Sequence, residues 1–177
     1  MYSRDLSVAP VAQLNEICDD LAATGKRVRV LWQEPDQLTF VARGREYRSE
    51  FHINPSDEIM YMIKGEMQLH IRTPEGAEKI VTIPEGGLNF TPSGMPHSPR
   101  FPPDAFALIS ERQRRPGEED RFQWFCGNCD ALLHQETFVV SDYTADPVSK
   151  AYANFFDSEP NRTCDACGHV TPAPDSM

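Results

Sequence analysis

His52 and Glu58 are separated by five residues in the stretch EFHINPSDEIMYMIKG, which ends on a Lys64-Gly65 turn. An imidazole and a carboxylate at this spacing, set just before a hydrophobic strand pattern, can share the inner face of a barrel and hold a metal ion. His97, in PSGMPHSPR, is the candidate third ligand, because it follows a short strand pattern (Gly-Leu-Asn-Phe) and a Pro-Ser-Gly turn. Two imidazoles and one carboxylate on one face leave coordination positions open, the donor set of non-heme Fe(II) sites that activate O2. The other histidines, His70, His134 and His169, read as structural or surface residues. His169 lies two residues after Cys167, which offers it as a supporting group or an alternative zinc ligand, but four cysteines already complete a tetrahedral set.

A second constellation lies near the C-terminus. Cys126 and Cys129 flank Gly-Asn, and Cys164 and Cys167 flank Asp-Ala. Two C-x-x-C knuckles separated by a hairpin and a helix present four thiolates, which suits a tetrahedral ion, zinc or iron. A disulfide framework is the weaker reading in a chain expected to be cytoplasmic, and neither knuckle has a thioredoxin-like context. The plain role of such a site is to pin a tail too small for its own core. Cys18, inside the first helical pattern, reads as a buried, idle thiol.

The elements that must position these groups are mostly strands. VRVLWQ, QLTFVA, EIMYMIKG, EMQLHIRT, EKIVTIPEG, GLNFTPSG and FALISERQ are short runs rich in β-branched and aromatic residues, punctuated by Pro-Glu-Gly and Glu-Gly-Gly turns. Many short strands at near-regular spacing predict a sandwich or barrel. Fifteen prolines in 177 residues agree with strands and turns over helices. Val8, Val11, Leu14, Ile17 and Leu21 predict an N-terminal amphipathic helix, with Pro10 near its start and Gly25 past its end. Arg112, Arg114 and Arg115, in the charged run RQRRPGEEDR, read as a solvated loop or linker. Asp146-Pro147 predicts a helix start with Val148, Tyr152 and Phe155 or Phe156 on its apolar face. The expected division is a barrel with its N-terminal helix over 1–120 and a four-cysteine extension over 121–177.

The net charge of −10 makes nucleic acid and anionic membranes poor partners. No apolar run is long enough to span a bilayer, and MYSRDLSVAP lacks the apolar core of a signal peptide. The expectation is a cytoplasmic protein with a small-molecule ligand.

Gly44, His52, Glu58 and Gly65 resemble the first cupin motif, and Gly86, Pro92, Gly94 and His97 resemble the second. The first motif usually carries two histidines one residue apart. Here the second is Asn54, which trims a four-ligand site to three. YRSEFHINPSDE, PSGMPHSPR, ISERQRRPGEEDRFQWFCGNC and the terminal CDACG together resemble bacterial 3-hydroxyanthranilate 3,4-dioxygenases over nearly the whole chain. The resemblance implies a mainly β cupin (double-stranded β-helix, or jelly-roll) barrel that forms a homodimer. It implies catalytic Fe(II) on His52, Glu58 and His97, and iron of rubredoxin type, replaceable by zinc, on Cys126, Cys129, Cys164 and Cys167. It implies that an aromatic amino acid, 3-hydroxyanthranilate, is cleaved with O2 to an aminocarboxymuconate semialdehyde that closes to quinolinate, as in NAD synthesis or tryptophan breakdown.

In the same family Arg48 and a second arginine, here Arg100, bind the substrate carboxylate, and Glu111 hydrogen-bonds its chelating end. Two departures stand out. Arg100 follows the His-Ser-Pro turn one residue early, and Glu50 stands where the family often has aspartate. They leave room for two other readings: a sister enzyme for a substituted (4-methyl) substrate, and a non-catalytic cupin that binds a small aromatic acid. A sugar-type cupin isomerase lacks its histidine set and leaves Arg48 and the tail unexplained.

Overall fold

The computed structural model describes residues 10–140, 142–143 and 147–174. The first helix, α1 (Leu14–Thr24), buries Cys18 and Leu21 against Val41 and Phe106, with Leu14 and Ile17 on the same face. Gly25 ends it at a φ of 71°, and its N–H donates to the Leu21 carbonyl. That left-handed turn is open to glycine at little cost, as the sequence predicts. The start lies later than expected. Val11 stands 84% exposed ahead of the helix, and Val8 lies outside the described residues. One apolar residue every three to four positions does not fix where a pattern begins when no side chain caps it, and Gln13 provides no such cap.

Eleven strands follow among the described residues: β1 (Val28–Glu34), β2 (Gln37–Arg43), β3 (Phe51–Ile53), β4 (Glu58–Lys64), β5 (Met67–Arg72), β6 (Glu78–Ile83), β7 (Leu88–Thr91), β8 (His97–Arg100), β9 (Phe106–Glu111), β10 (Asp120–Phe125) and β11 (Leu132–Phe138). They form a five-stranded sheet in the order β1-β2-β9-β4-β7 and a six-stranded sheet in the order β11-β10-β3-β8-β5-β6, with antiparallel pairing throughout. The core joins the two sheets through Met60, Met62 and Ile109 of one and Met67, Leu69 and Ile83 of the other. This is the jelly-roll barrel of a cupin. Glu58, Met60 and Met62 are all buried on alternate positions of β4, so the period of two carries Glu58 into the barrel interior.

The extension is built onto the barrel's own sheet. Position 120/121 falls inside β10, which ladders to β3 on one side and β11 on the other. Helix α2 (Pro147–Phe156) begins at the expected proline. Asp146 and the Val148 side chain lie outside the described residues. Tyr152, Phe155 and Phe156 bury against Phe122 and Trp124 in a second core, and Trp124 stacks on Phe155 with ring centroids 4.6 Å apart. A one-turn helix, α3 (Glu159–Arg162), leads into the second cysteine knuckle.

The charged run is not a solvated linker throughout. Arg114 has a side chain only 4% exposed and pairs with both Glu111 and Asp120. Arg112 closes a two-point pair with Glu118 and also donates to the Pro55 carbonyl. The run turns back on itself because β9 and β10 both deliver carboxylates, at Glu111 and Asp120, that need a cation between them. Arg115 meets the expectation better, with an exposed backbone contact to Glu118.

Candidate active site and cysteine cluster

His52 on β3 and His97 on β8 are direct register partners in the six-stranded sheet. Their ring centroids are 5.4 Å apart. Glu58 faces them from the first position of β4, in the opposite sheet, and its Oε2 lies 3.0 Å from His97 Nε2. Three donors from two sheets therefore meet inside the barrel. His97 Nδ1 donates to the Met95 carbonyl at 2.9 Å, which turns Nε2 toward Glu58 in the interior.

Electrostatics support a ligand set. Burial is the largest influence on Glu58 and would raise its carboxyl, yet His97, His52 and Arg114 together hold it well below the usual carboxylate range. Burial likewise holds His52 below the ordinary imidazole range, against the opposing pull of Asp120. A charged carboxylate and a neutral imidazole are the forms that bind a metal; His97 departs from this, because Glu58 raises its imidazole against the effect of burial. The donor types are those of a two-histidine, one-carboxylate ion, but among the described residues only the four cysteines bring their ligand atoms together at the spacing of one ion, and His52 Nε2 is turned to Asp120.

Four further groups surround this set. Asn54, at the position of the missing second histidine, donates from one amide to Glu58 Oε2 at 3.1 Å and to Glu111 Oε2 at 3.0 Å. It ties the ligand carboxylate to Glu111 at the end of β9. Burial first, and then the charge of Glu58, push the Glu111 carboxyl upward against the pull of Arg114. Arg114 donates to Glu111 Oε2 at 2.8 Å and to Asp120 through Nε at 2.6 Å. Asp120 Oδ2 is 2.7 Å from His52 Nε2. Asn54, Arg114 and Asp120 were not legible as site residues from the sequence. A usable signal existed for Asp120, which shares buried parity with Phe122 and Trp124 along β10.

His52, Glu58, His97, Glu111 and Arg48 all line one cavity of about 840 Å³. Arg100 does not. It lines a second cavity of about 410 Å³ beside Cys126 and Cys129, and its guanidinium sits 5.7 Å from the Phe51 ring centre. The cause is strand parity. On β8, His97 and Pro99 face the large cavity while Arg100 lies on the opposite side. An arginine that arrives one residue early is turned to the other face.

The four cysteines converge as their spacing predicts. All four Sγ atoms lie within 4.8 Å of one another, with 3.7 Å between those of Cys126 and Cys167 and 3.5 Å between those of Cys129 and Cys164. A tetrahedron with metal–sulfur bonds of about 2.3 Å has edges of about 3.8 Å, so the thiols are spaced for one ion. The two knuckles repeat one backbone device. The Cys126 N–H donates to the Ala131 carbonyl and the Asp130 N–H to the Cys126 carbonyl. In the second knuckle the Cys164 N–H donates to the His169 carbonyl and the Gly168 N–H to the Cys164 carbonyl. Asp130 and Gly168 both take left-handed φ, 64° and 73°. The Asn128 side-chain amide, at 3.5 Å, lowers the Cys167 thiol. His169 thus contributes its backbone carbonyl. His70 pairs with Glu78 and His134 with Glu136, away from the barrel donors.

Comparison with known proteins finds named relatives over most of the chain. The family described as 3-hydroxyanthranilic acid dioxygenase matches residues 26–156. A 3-hydroxyanthranilate 3,4-dioxygenase of Bacillus cereus (strain ATCC 10987 / NRS 248) is 35% identical over 144 residues, covering 81% of this chain and 80% of the relative. One from Shewanella woodyi is 34% identical over 143 residues, covering 80% and 75%. One from Cupriavidus pinatubonensis is 33% identical over 147 residues, covering 82% and 77%. Among solved structures, a cupin-2 domain containing protein from Shewanella frigidimarina aligns at 18% identity and a TM-score of 0.47, covering 58% of this chain and 95% of that one.

Proposed function

This chain belongs to the 3-hydroxyanthranilic acid dioxygenase family, and on that premise we propose that it cleaves the ring of 3-hydroxyanthranilate with O2. The product would be 2-amino-3-carboxymuconate 6-semialdehyde, which closes on its own to quinolinate. Fe(II) on His52, Glu58 and His97 belongs to the same reading, as do a second iron or zinc on the cysteines, a homodimer and a cytoplasmic location. The observation that carries the proposal is the convergence of these three donors with Arg48 and Glu111 on one cavity.

Held by His52, Glu58 and His97, Fe(II) would supply the activation of O2, which otherwise reacts slowly with a closed-shell ring. The protein's own groups do the rest. Arg48 holds the substrate carboxylate, because a guanidinium matches a carboxylate at two points. That contact fixes which ring edge faces His52 and His97, and orientation of this kind removes much of the entropic barrier. Glu111 accepts the Asn54 and Arg114 hydrogen bonds on Oε2, which leaves Oε1 to receive the proton of the ring hydroxyl. The raised affinity of this buried carboxyl for a proton suits that role. Phe122, Pro99 and Phe101 line the same cavity and limit water around the ring.

Arg48→Ala is expected to lower kcat/KM for 3-hydroxyanthranilate by about 10- to 100-fold, the range of a lost charged hydrogen-bond pair. It should leave 2-aminophenol, which lacks the carboxylate, within about threefold. Equal losses for both compounds would reject the clasp.

One observation favours a second reading. With Arg100 turned away, Pro99 and Phe101 are what β8 and the residue after it present to the cavity. An apolar wall suits a methyl-substituted ring. Oxygen uptake by the Fe(II)-reconstituted protein, with 3-hydroxyanthranilate and its 4-methyl analogue side by side, separates the two. Faster turnover of the unsubstituted acid supports the first proposal, and preference for the methyl compound supports the second. No uptake with either, despite bound iron, would reject both and favour a binding protein.

A further inference from the structure

Arg48 lies in a stretch with no sheet to hold it. Residues 47–50 are irregular, between the end of β2 and the start of β3. What fixes them comes from the C-terminal extension. The Tyr152 hydroxyl, on α2, accepts the Ser49 backbone N–H at 3.0 Å. The same hydroxyl donates to Glu50 Oε2. The Trp124 indole N–H, on β10, donates to Ser49 Oγ at 3.1 Å. Glu50 is 0% exposed, and its Oε1 lies 2.9 Å from Arg48 Nε. The Arg48 N–H is not aimed at that oxygen, so the contact is an attraction between charges and depends on where the carboxylate is held.

From this connected set we infer that Tyr152 is a positioning residue for the substrate carboxylate: its hydroxyl sets Glu50, and Glu50 sets the guanidinium of Arg48. The inference rests on the proposal that Arg48 binds a carboxylate in the large cavity. A buried carboxylate without a donor is costly, so Glu50 stays where the phenol is. Burial, with Glu50's own charge, raises the Tyr152 hydroxyl, which keeps it protonated as a donor. The pair draws on Nε of Arg48, and the terminal nitrogens keep their geometry for a bidentate anion. Glu50, where the family often has aspartate, is then matched to its partner: the extra methylene reaches a tyrosine on α2. It also follows that the cysteine extension, through α2, takes part in substrate affinity as well as in holding the tail.

The test is Tyr152→Phe. The ring keeps its edge contacts with Tyr47, Trp124 and Phe156, so the packing survives and only the hydroxyl is lost. We expect KM for 3-hydroxyanthranilate to rise about five- to tenfold, the size of one hydrogen bond, with kcat within about twofold. KM for 2-aminophenol should move less than about twofold. Calorimetric Kd for 3-hydroxyanthranilate, measured without oxygen on the metal-loaded protein, should rise by the same factor as KM. Glu50→Gln, which keeps the shape and removes the charge, should raise the same KM and Kd further, and it serves as the second variant if Tyr152→Phe does not fold.

An unchanged KM and Kd in a protein that turns the substrate over overturns the inference alone. So does an equal rise for both compounds. If the parent protein binds 3-hydroxyanthranilate without consuming O2, the dioxygenase proposal fails, while a weaker Kd in Tyr152→Phe still supports the positioning role. No binding by the parent protein overturns both.

Discussion

The barrel donors and the cysteine cluster are assembled in opposite ways. The barrel donors come from β3, β4 and β8, so no short stretch of chain carries the set; Glu58 and His97 are buried and His52 is partly buried. The cluster's donors come from two knuckles of nearly the same local geometry, and Cys129 and Cys167 are exposed. The barrel set mixes two imidazoles with one carboxylate and opens onto a large cavity. The cluster is four thiols spaced for a closed tetrahedron. The difference teaches that long-range strand pairing sets the barrel donors, whereas local turn geometry sets the thiols.

The largest expected effect separates the two metals. His52→Ala should remove iron from the barrel and lower ring cleavage by more than about a thousandfold, while the cysteine metal stays at full occupancy. Metal content per chain, read beside activity, checks this. Loss of both metals together would merge two sites that the structure keeps apart.

Arg114→Ala should come next. It strands Glu111 and Asp120 as buried carboxylates around one lost cation, and breaking a buried pair costs about 3–5 kcal/mol. Denaturant unfolding of the variant reads that loss. A change under about 1 kcal/mol would mean that water already screens the two carboxylates.

Cys164→Ser attacks the other region. It should empty the cluster and loosen α2 while the barrel keeps its iron. KM for 3-hydroxyanthranilate should rise about threefold to tenfold and kcat should move less. A proportional loss of kcat would point to the cluster acting in the chemistry itself. The smallest effect belongs to Arg100→Ala, which removes a cation from the second cavity and should change KM by less than about threefold. A change as large as that of Arg48→Ala would show that Arg100 turns into the large cavity when substrate binds.

Legibility in the sequence followed the same divide. The cluster was readable because a C-x-x-C knuckle is local, and its turn geometry is written in adjacent residues. His52, Glu58 and His97 were readable because strand parity and motif spacing place them on inner faces. Most strands were marked by β-branched runs and Gly turns. β3, β8 and β10 were not, since His52, the His-Ser-Pro of β8 and the charged start of β10 break the apolar run. Arg114 was misread because RQRRPGEEDR has the same composition whether it meets water or folds back onto two carboxylates. Only the strand ends on either side, Glu111 and Asp120, distinguish the cases. Tyr152 read as one more apolar position on a helix face. Its hydroxyl's partners lie at Ser49 and Glu50, about a hundred residues away in sequence.

The measurement that tests the central claim most directly is the stoichiometry of oxygen use by the Fe(II)-loaded protein with 3-hydroxyanthranilate. The account predicts one O2 consumed per ring opened, no hydrogen peroxide released, and no consumption by Glu58→Ala. Peroxide formed in step with oxygen consumed, or equal consumption by Glu58→Ala, would contradict ring cleavage at the barrel site.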